Sequence, residues 1–292
     1  MKIALLLSGN LRTFDLDQSP KISDYYKKMC EKYDMDVFCF TDDHNFIYNG
    51  VQHLKKNVND EYDMGHYAIK PNHTFIDGSQ ASEIIEKLLY NCFGNYLKKM
   101  KIIPYYRFFV PMNIENDYHN RFYNDNCRPI NMKHNIVNNC FKVWKAYELL
   151  QEYEKESGVV YDIIIKSRFD CIPYDILNNI DIRQIDYNNT LICGHWSGFL
   201  FDHGAIGNRY IMHHYCNYYN NLSPNLLDNI RMYWAHILAP GKCSHEQKDG
   251  MKDISDSIEY GLTYLIKTIH SYDLKHYNIN FRHFIAGDNP NC

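Results

Sequence analysis

The chain has 292 residues, 45% hydrophobic and 23% charged, with a formal net charge of −4. This is ordinary globular composition, long enough to bury a substantial core in one large domain, and without a basic block it argues against a nucleic-acid binder. No stretch approaches the ~20 apolar residues of a membrane span, and the apolar run from Ile3 to Leu7 falls short of a signal-peptide core, which needs roughly 7–15. The ten cysteines contain no C-x-x-C pair, and several sit in apolar runs, so reduced, buried thiols in a cytoplasmic protein are expected. The 26 tyrosines and plentiful asparagines point to an AT-rich coding sequence, as in a parasite or a large DNA virus, and carry no chemistry.

Ile3–Leu7 reads as a buried parallel strand that stops at the loop Ser8-Gly9-Asn10. A helix over 21–33 and a strand over 36–41 complete a βαβ unit, and such units bind ligands beyond the C-terminal ends of their strands. Residues 45–80 have no strong period. A helix is predicted over 81–100, a strand near 105–110, and an irregular polar loop over 111–132. A long helix follows over 134–156, with Val137, Cys140, Phe141, Trp144 and Tyr147 on one face and Gly158 placed to end it. Strands are predicted over 161–167 and 191–194, and helices over 205–221 and 256–271. The simplest organisation is one α/β domain.

Three constellations could carry chemistry. In Lys166-Ser167-Arg168-Phe169-Asp170, directly after an apolar strand, residues two apart share a face. Two cations beside a carboxylate suit a diphosphate; the alternative is an internal salt bridge at a strand end. In Ser8-Gly9-Asn10-Leu11-Arg12, the glycine lets a ligand approach the backbone and Arg12 could reach a phosphate; an ordinary turn is the alternative. Asp202, preceding a predicted helix, is either an N-cap or a general base. The fifteen histidines show no H-E-x-x-H and no structural-zinc spacing, and no nucleophile elbow is present.

Read in order, these segments resemble a family of glycosyltransferases from viral and bacterial surface-polysaccharide clusters, related to the GT-A fold. Lys2-Ile3-Ala4-Leu5-Leu6-Leu7-Ser8-Gly9-Asn10-Leu11-Arg12-Thr13-Phe14 opens the likeness. Asp36–Thr41, the helix from His134 to Leu150, Tyr161–Asp170, Asp202–Gly207 and Ser257-Ile258-Glu259 continue it, and Ile279 follows. The resemblance implies a GT-A-like (Rossmann-like), mostly parallel sheet flanked by helices. Residues 1–110 would form a nucleotide-binding half and 111–292 a metal and acceptor half. It implies a UDP- or GDP-type nucleotide-sugar donor and a glycan or glycoconjugate acceptor. Ser8, Gly9, Asn10, Arg12, Thr41, Asp42, Lys166 and Arg168 would hold the donor, and Asp202 or Glu259 would take the acceptor proton. Asp170 and a late histidine, His283, would ligate Mn²⁺ or Mg²⁺. The family's D-x-D slot holds Arg168 and Asp170 here, so one carboxylate is missing and a metal-independent mechanism stays open. Two other readings remain. A sugar-nucleotide nucleotidyltransferase would need a Gly- and Arg/Lys-rich loop that residues 8–12 lack, and a non-catalytic nucleotide- or glycan-binding module would explain the missing carboxylate.

Overall fold

In a computed structural model, the described residues are 1–9, 11, 14, 22–43, 51–52, 68–69, 78–103, 130–173, 175–178, 180–188, 190–196, 199–222, 226, 229, 258–266, 273–274 and 281–283. At 51–52, 68–69, 78–81, 130–138, 175, 178, 194–196, 199–202, 258–260, 273–274 and 281–283 only the backbone is described.

The chain begins with β1 (Ile3–Ser8), α1 (Ile22–Tyr33) and β2 (Asp36–Asp42), the expected βαβ unit. The short strands β3 (Val51–Gln52) and β4 (Ala68–Ile69) pair with each other, apart from the main sheet. Next come α2 (Gly78–Phe93), a 3₁₀ turn at Gly94–Tyr96 and β5 (Leu97–Ile103). The predicted helix over 81–100 therefore ends early: Gly94 takes φ +49, and after the 3₁₀ turn the strand Leu97–Ile103 pairs with β2. Pairing in the sheet overrides helical propensity there; the strand predicted near 105–110 lies outside the described residues, as does the loop predicted over 111–132 as far as residue 129, and residues 130–132 are helix.

The long helix α3 (Ile130–Ser157) ends at Gly158, whose φ of +72 and N–H to the Glu154 carbonyl (2.9 Å) close the last turn. β6 (Ile163–Arg168), β7 (Cys171–Pro173), α4 (Asp175–Asn178), β8 (Thr190–Trp196) and β9 (Phe199–Asn208) follow. The helix predicted over 205–221 starts later: residues 199–208 are strand, and α5 (Arg209–Cys216) and α6 (Tyr218–Asn221) come after it. Asp202 is therefore no helix cap. That role falls to Asn208, whose Oδ1 accepts the Ile211 N–H at 3.0 Å. α7 (Ile258–Tyr264), β10 (Asp273–Leu274) and β11 (Phe281–His283) complete the described elements.

The main sheet has the order β10-β8-β9-β6-β1-β2-β5, six strands extended at one edge by the two-residue β10. All of them run parallel except β9, which is antiparallel to both β6 and β8. Strands buried on both faces read as continuous apolar runs, and β1 is buried at every position. Its odd residues, Ile3, Leu5 and Leu7, pack with α1 and α2; its even residues, Ala4 and Leu6, pack with α3, α5, α6 and α7. Within α3 the buried face is Cys140, Val143, Ala146, Tyr147 and Leu150, whereas Phe141 and Trp144 are only partly buried, so the sheet-facing stripe is rotated from the predicted one.

The order of strands locates a crevice. From β1 the chain moves outward to β2 and β5, then returns through α3 to place β6 on the other side of β1. The chain leaves the β1/β6 boundary in opposite directions along the sheet, from β1 to β2 on one side and from β6 to β8 and β9 on the other. In open α/β sheets that reversal opens a gap at the C-terminal ends of the two strands, where ligands bind.

Candidate functional site

At that edge the register aligns Ser8 with Phe40 on one side and with Arg168 on the other. The ends of β1, β2 and β6 thus bring residues 8–9, 41–42 and 166–170 together from three distant parts of the sequence. Gly9 takes φ +110, a conformation that strains any residue with a Cβ, while its N–H reaches the Phe40 carbonyl at 3.3 Å. A Cβ at Gly9 would lie 3.8 Å from Asn139 Oδ1, so α3 passes directly over this turn. Ser8, Thr41 and Asp42 are buried; Thr41 Oγ1 donates to the Asp42 carbonyl at 3.3 Å. Asn10 and Arg12 lie outside the described residues.

The 166–170 segment departs from extended chain. Lys166 and Arg168 share the α3-facing side of β6, as alternation requires, but Asp170 lies past the strand in a turn. Phe169 anchors the turn: its ring is fully buried among Phe14, Tyr26 and Phe93 on the α1 side, with Phe14 edge-on at 5.4 Å. Arg168 and Asp170 close on each other. Nε donates to Oδ1 at 2.9 Å and Nη2 to Oδ2 at 2.8 Å, a bidentate pair with side chains 13% and 2% exposed. The internal salt bridge weighed from sequence is therefore present. Cys171 Sγ lies 3.7 Å from the same Oδ1.

Lys166 sits deeper. It is buried in a cavity with room for about one water (about 10 Å³), shared with Asn139, Cys140, Tyr215, Cys216 and Leu262. Burial pushes the Cys216 thiol far above its ordinary range, and the Lys166 charge pulls it partway back. The two cations expected together are thus in different places, Arg168 at the edge and Lys166 within the layer.

Sequence reasoning missed two groups. Lys142, on α3, forms a buried ion pair with Asp42; their side chains are 5% and 2% exposed. Tyr26, on α1, is fully buried, with its hydroxyl oxygen 2.7 Å from Ser167 Oγ, 3.1 Å from the Arg168 carbonyl and against the Cys171 carbonyl. It pins the backbone on both sides of the Arg168–Asp170 turn. Its proton is held well above the ordinary phenol range by burial, an effect the Ser167 hydrogen bond partly offsets. A helical period could have placed Lys142 beside Cys140 and Val143, but not opposite an aspartate one hundred residues away.

The remaining candidates are placed by their backbones. β9 pairs Gly204 with Ser167; continuing that register sets His203 beside Arg168 and Asp202 one residue further out, at the same edge. β11 pairs His283 with Cys171, the neighbour of Asp170. Glu259 lies in the first turn of α7, one turn before Leu262 at the Lys166 cavity. The side chains of Asp202, Glu259 and His283 are outside the description. Among the described residues no three His, Cys, Asp or Glu side chains group to hold a metal, and no helix is long and apolar enough to cross a membrane. Comparison with protein-family models, with curated proteins and with solved structures finds no match.

Proposed function

We propose that the chain is a GT-A-like glycosyltransferase that moves a sugar from a UDP- or GDP-type donor to a hydroxyl of a glycan or glycoconjugate. The observation that carries this reading is the meeting of Ser8–Gly9, Thr41–Asp42 and Arg168–Asp170 at the C-terminal edge of parallel strands, beside the β1/β6 reversal. A glycine backbone at φ +110 admits a diphosphate closely. Arg168, oriented by Asp170, is a fixed cation for the charge that develops on the leaving nucleoside diphosphate. Asp202 stands at the same edge by register and is the first choice for the group that takes the acceptor proton; Glu259 is the second.

A divalent cation fits the described residues poorly. Both Asp170 oxygens are engaged by Arg168, and no metal-ligand group is present among the described residues. The proposal therefore assigns charge neutralisation to Arg168 and routes no step through a metal. The same mutual satisfaction of Arg168 and Asp170 favours the second reading, a module that binds a nucleotide without turnover.

Thermal unfolding with UDP, GDP, CDP and dTDP, each in Mn²⁺ and in EDTA, tests the donor site, because a ligand of the native state raises the melting temperature by mass action. One nucleotide should stabilise the protein in EDTA as well as in Mn²⁺, and Arg168→Ala should abolish the shift. No stabilisation by any nucleotide refutes the reading. Release of nucleoside diphosphate from the matching sugar donor separates a transferase from a binding module, and release of pyrophosphate would instead mark a nucleotidyltransferase. Full turnover by Asp202→Ala would remove Asp202 from the proton-transfer step.

A further inference from the structure

The chain from β6 towards β8 runs along α1 and is tied to it by side-chain donors on main-chain carbonyls. Tyr33 meets the Ile176 and Ile180 carbonyls, each at 3.0 Å, and Lys32 Nζ meets those of Ile176 and Leu177 at 3.0 and 2.9 Å. Tyr25 donates to the Pro173 carbonyl. These bonds hold a connection whose described helices are the four-residue α4 and one 3₁₀ turn.

Tyr26 differs from them in where it acts. Its hydroxyl meets three groups around the turn that carries Arg168 and Asp170: Ser167 Oγ, the Arg168 carbonyl and the Cys171 carbonyl. A hydroxyl donates and accepts at once, so one group ties all three. The carbonyls of residues 168 and 171 are drawn to one point, which fixes the two residues between them. Phe169 turns inward to Phe14, and Asp170 turns back to Arg168. The Arg168 side chain is thereby set at both ends, at its backbone through Tyr26 and at its tip through Asp170. A planar fork held in place before the ligand arrives loses less freedom on meeting a phosphate.

We infer that Tyr26 is a positioning residue that holds Arg168 for the terminal phosphate of a bound nucleoside diphosphate, and so sets the preference of the site for diphosphate over monophosphate. This rests on the donor-site reading above. Tyr26 is fully buried and acts through the backbone of the turn.

Titration calorimetry of the full chain with UDP against UMP, and GDP against GMP, tests the inference. The wild type should bind the diphosphate of one pair about tenfold more tightly than its monophosphate. Tyr26→Phe should bring that preference down to about twofold and leave the monophosphate affinity unchanged. Tyr25→Phe removes the same kind of bond from the neighbouring residue of the same helix; it should lower the melting temperature and keep the preference. Should Tyr26→Phe fail to fold, Ser167→Ala keeps the Tyr26 ring, removes one contact of its hydroxyl and should lower the preference about threefold. An unchanged preference in Tyr26→Phe, or in Ser167→Ala where it stands in, overturns the inference. So does an equal fall in Tyr25→Phe, which would mark a general loosening, or a wild type that binds both forms of the nucleotide alike. In each of these cases the donor site stands. Failure of the wild type to bind any of the four nucleotides overturns the donor-site reading and this inference together.

Discussion

Arg168 and Asp170 offer the most direct test of how the site is built. Asp170 is held on both oxygens by one guanidinium, and its side chain is 2% exposed. Removing either partner strands a charge in a place with almost no water, which costs about 3–5 kcal/mol when a buried pair is broken. Arg168 retains slightly more contact with solvent, so Asp170→Asn should fall at the low end, about 3 kcal/mol, and Arg168→Met should cost more because it strands the deeper charge. At about 2–4 °C per kcal/mol for a chain of this size, the single variants should melt roughly 6–20 °C below wild type. The double variant Arg168→Met/Asp170→Asn strands no charge and should come back to within about 1–2 kcal/mol of wild type. The coupling energy, read from urea unfolding of all four proteins at neutral pH, should therefore exceed about 2 kcal/mol. Single variants within about 0.5 kcal/mol of wild type, with additive effects, would show that the two side chains do not depend on each other and would refute the account of Arg168 as a cation oriented by Asp170.

Tyr26→Phe keeps the ring and removes the hydroxyl that meets Ser167, Arg168 and Cys171. Buried acceptors left short of a donor should cost about 1–3 kcal/mol in urea unfolding, and nucleotide stabilisation should weaken with it; an unchanged midpoint would mean the turn holds itself. Alkaline pH provides a test of the reduced core. Burial raises the Cys30, Cys39 and Cys216 thiols and the Tyr26 phenol, so the folded state holds protons that the unfolded chain releases from about pH 9 upward. Stability is therefore complete below that pH and lost as pH rises above it; a melting temperature in reducing buffer that stays flat from pH 7 to about 10.5 would contradict the burial of these groups.

The parts of the fold legible in the sequence are those set by local patterns. Ile3–Leu7 and Ile163–Ile165 are apolar on both faces because helices cover both, and Gly158 ends α3 because only a residue without a Cβ takes its φ cheaply. What escaped notice depends on distant partners. Leu97–Ile103 carries four hydrophobic residues among three lysines and reads as the end of a helix until β2 supplies a parallel edge. Residues 199–208 follow the same logic: β9 is strand because β6 and β8 flank it, and Asp202 moves from a helix start to a sheet edge. The shared edge that holds Gly9, Asp42 and Arg168 is legible because each stands at the end of a recognisable strand. Tyr26 and Lys142 were missed because a helical tyrosine or lysine carries no mark of what it will face across the fold.

The distribution of ion pairs across the sheet separates structural from functional charge. At the N-terminal edge of the parallel strands, Lys2 meets Asp34, the amino terminus meets Asp162, and Lys99 reaches Glu152 and Glu156, all with at least one partner well exposed; Lys98 and Asp36, 3.1 Å apart, are more sheltered at 26% and 14%. Such pairs contribute at most about 1 kcal/mol and need no further reason than solvent-facing placement. At the C-terminal edge, Asp42–Lys142 and Arg168–Asp170 have all four side chains buried or nearly so. If buried pairs were simply how this chain secures its helices to its strands, they would be spread along the sheet. Arg209–Glu154 is the partial counterexample at the other edge; its arginine is still substantially exposed, and its carboxylate also caps the Tyr161 N–H at 3.1 Å, a local backbone task. The C-terminal pairs share a position, flanking the Gly9 turn where the strand order reverses. The two most deeply buried pairs lie at the edge where α/β sheets bind ligands, as the proposed donor site would require.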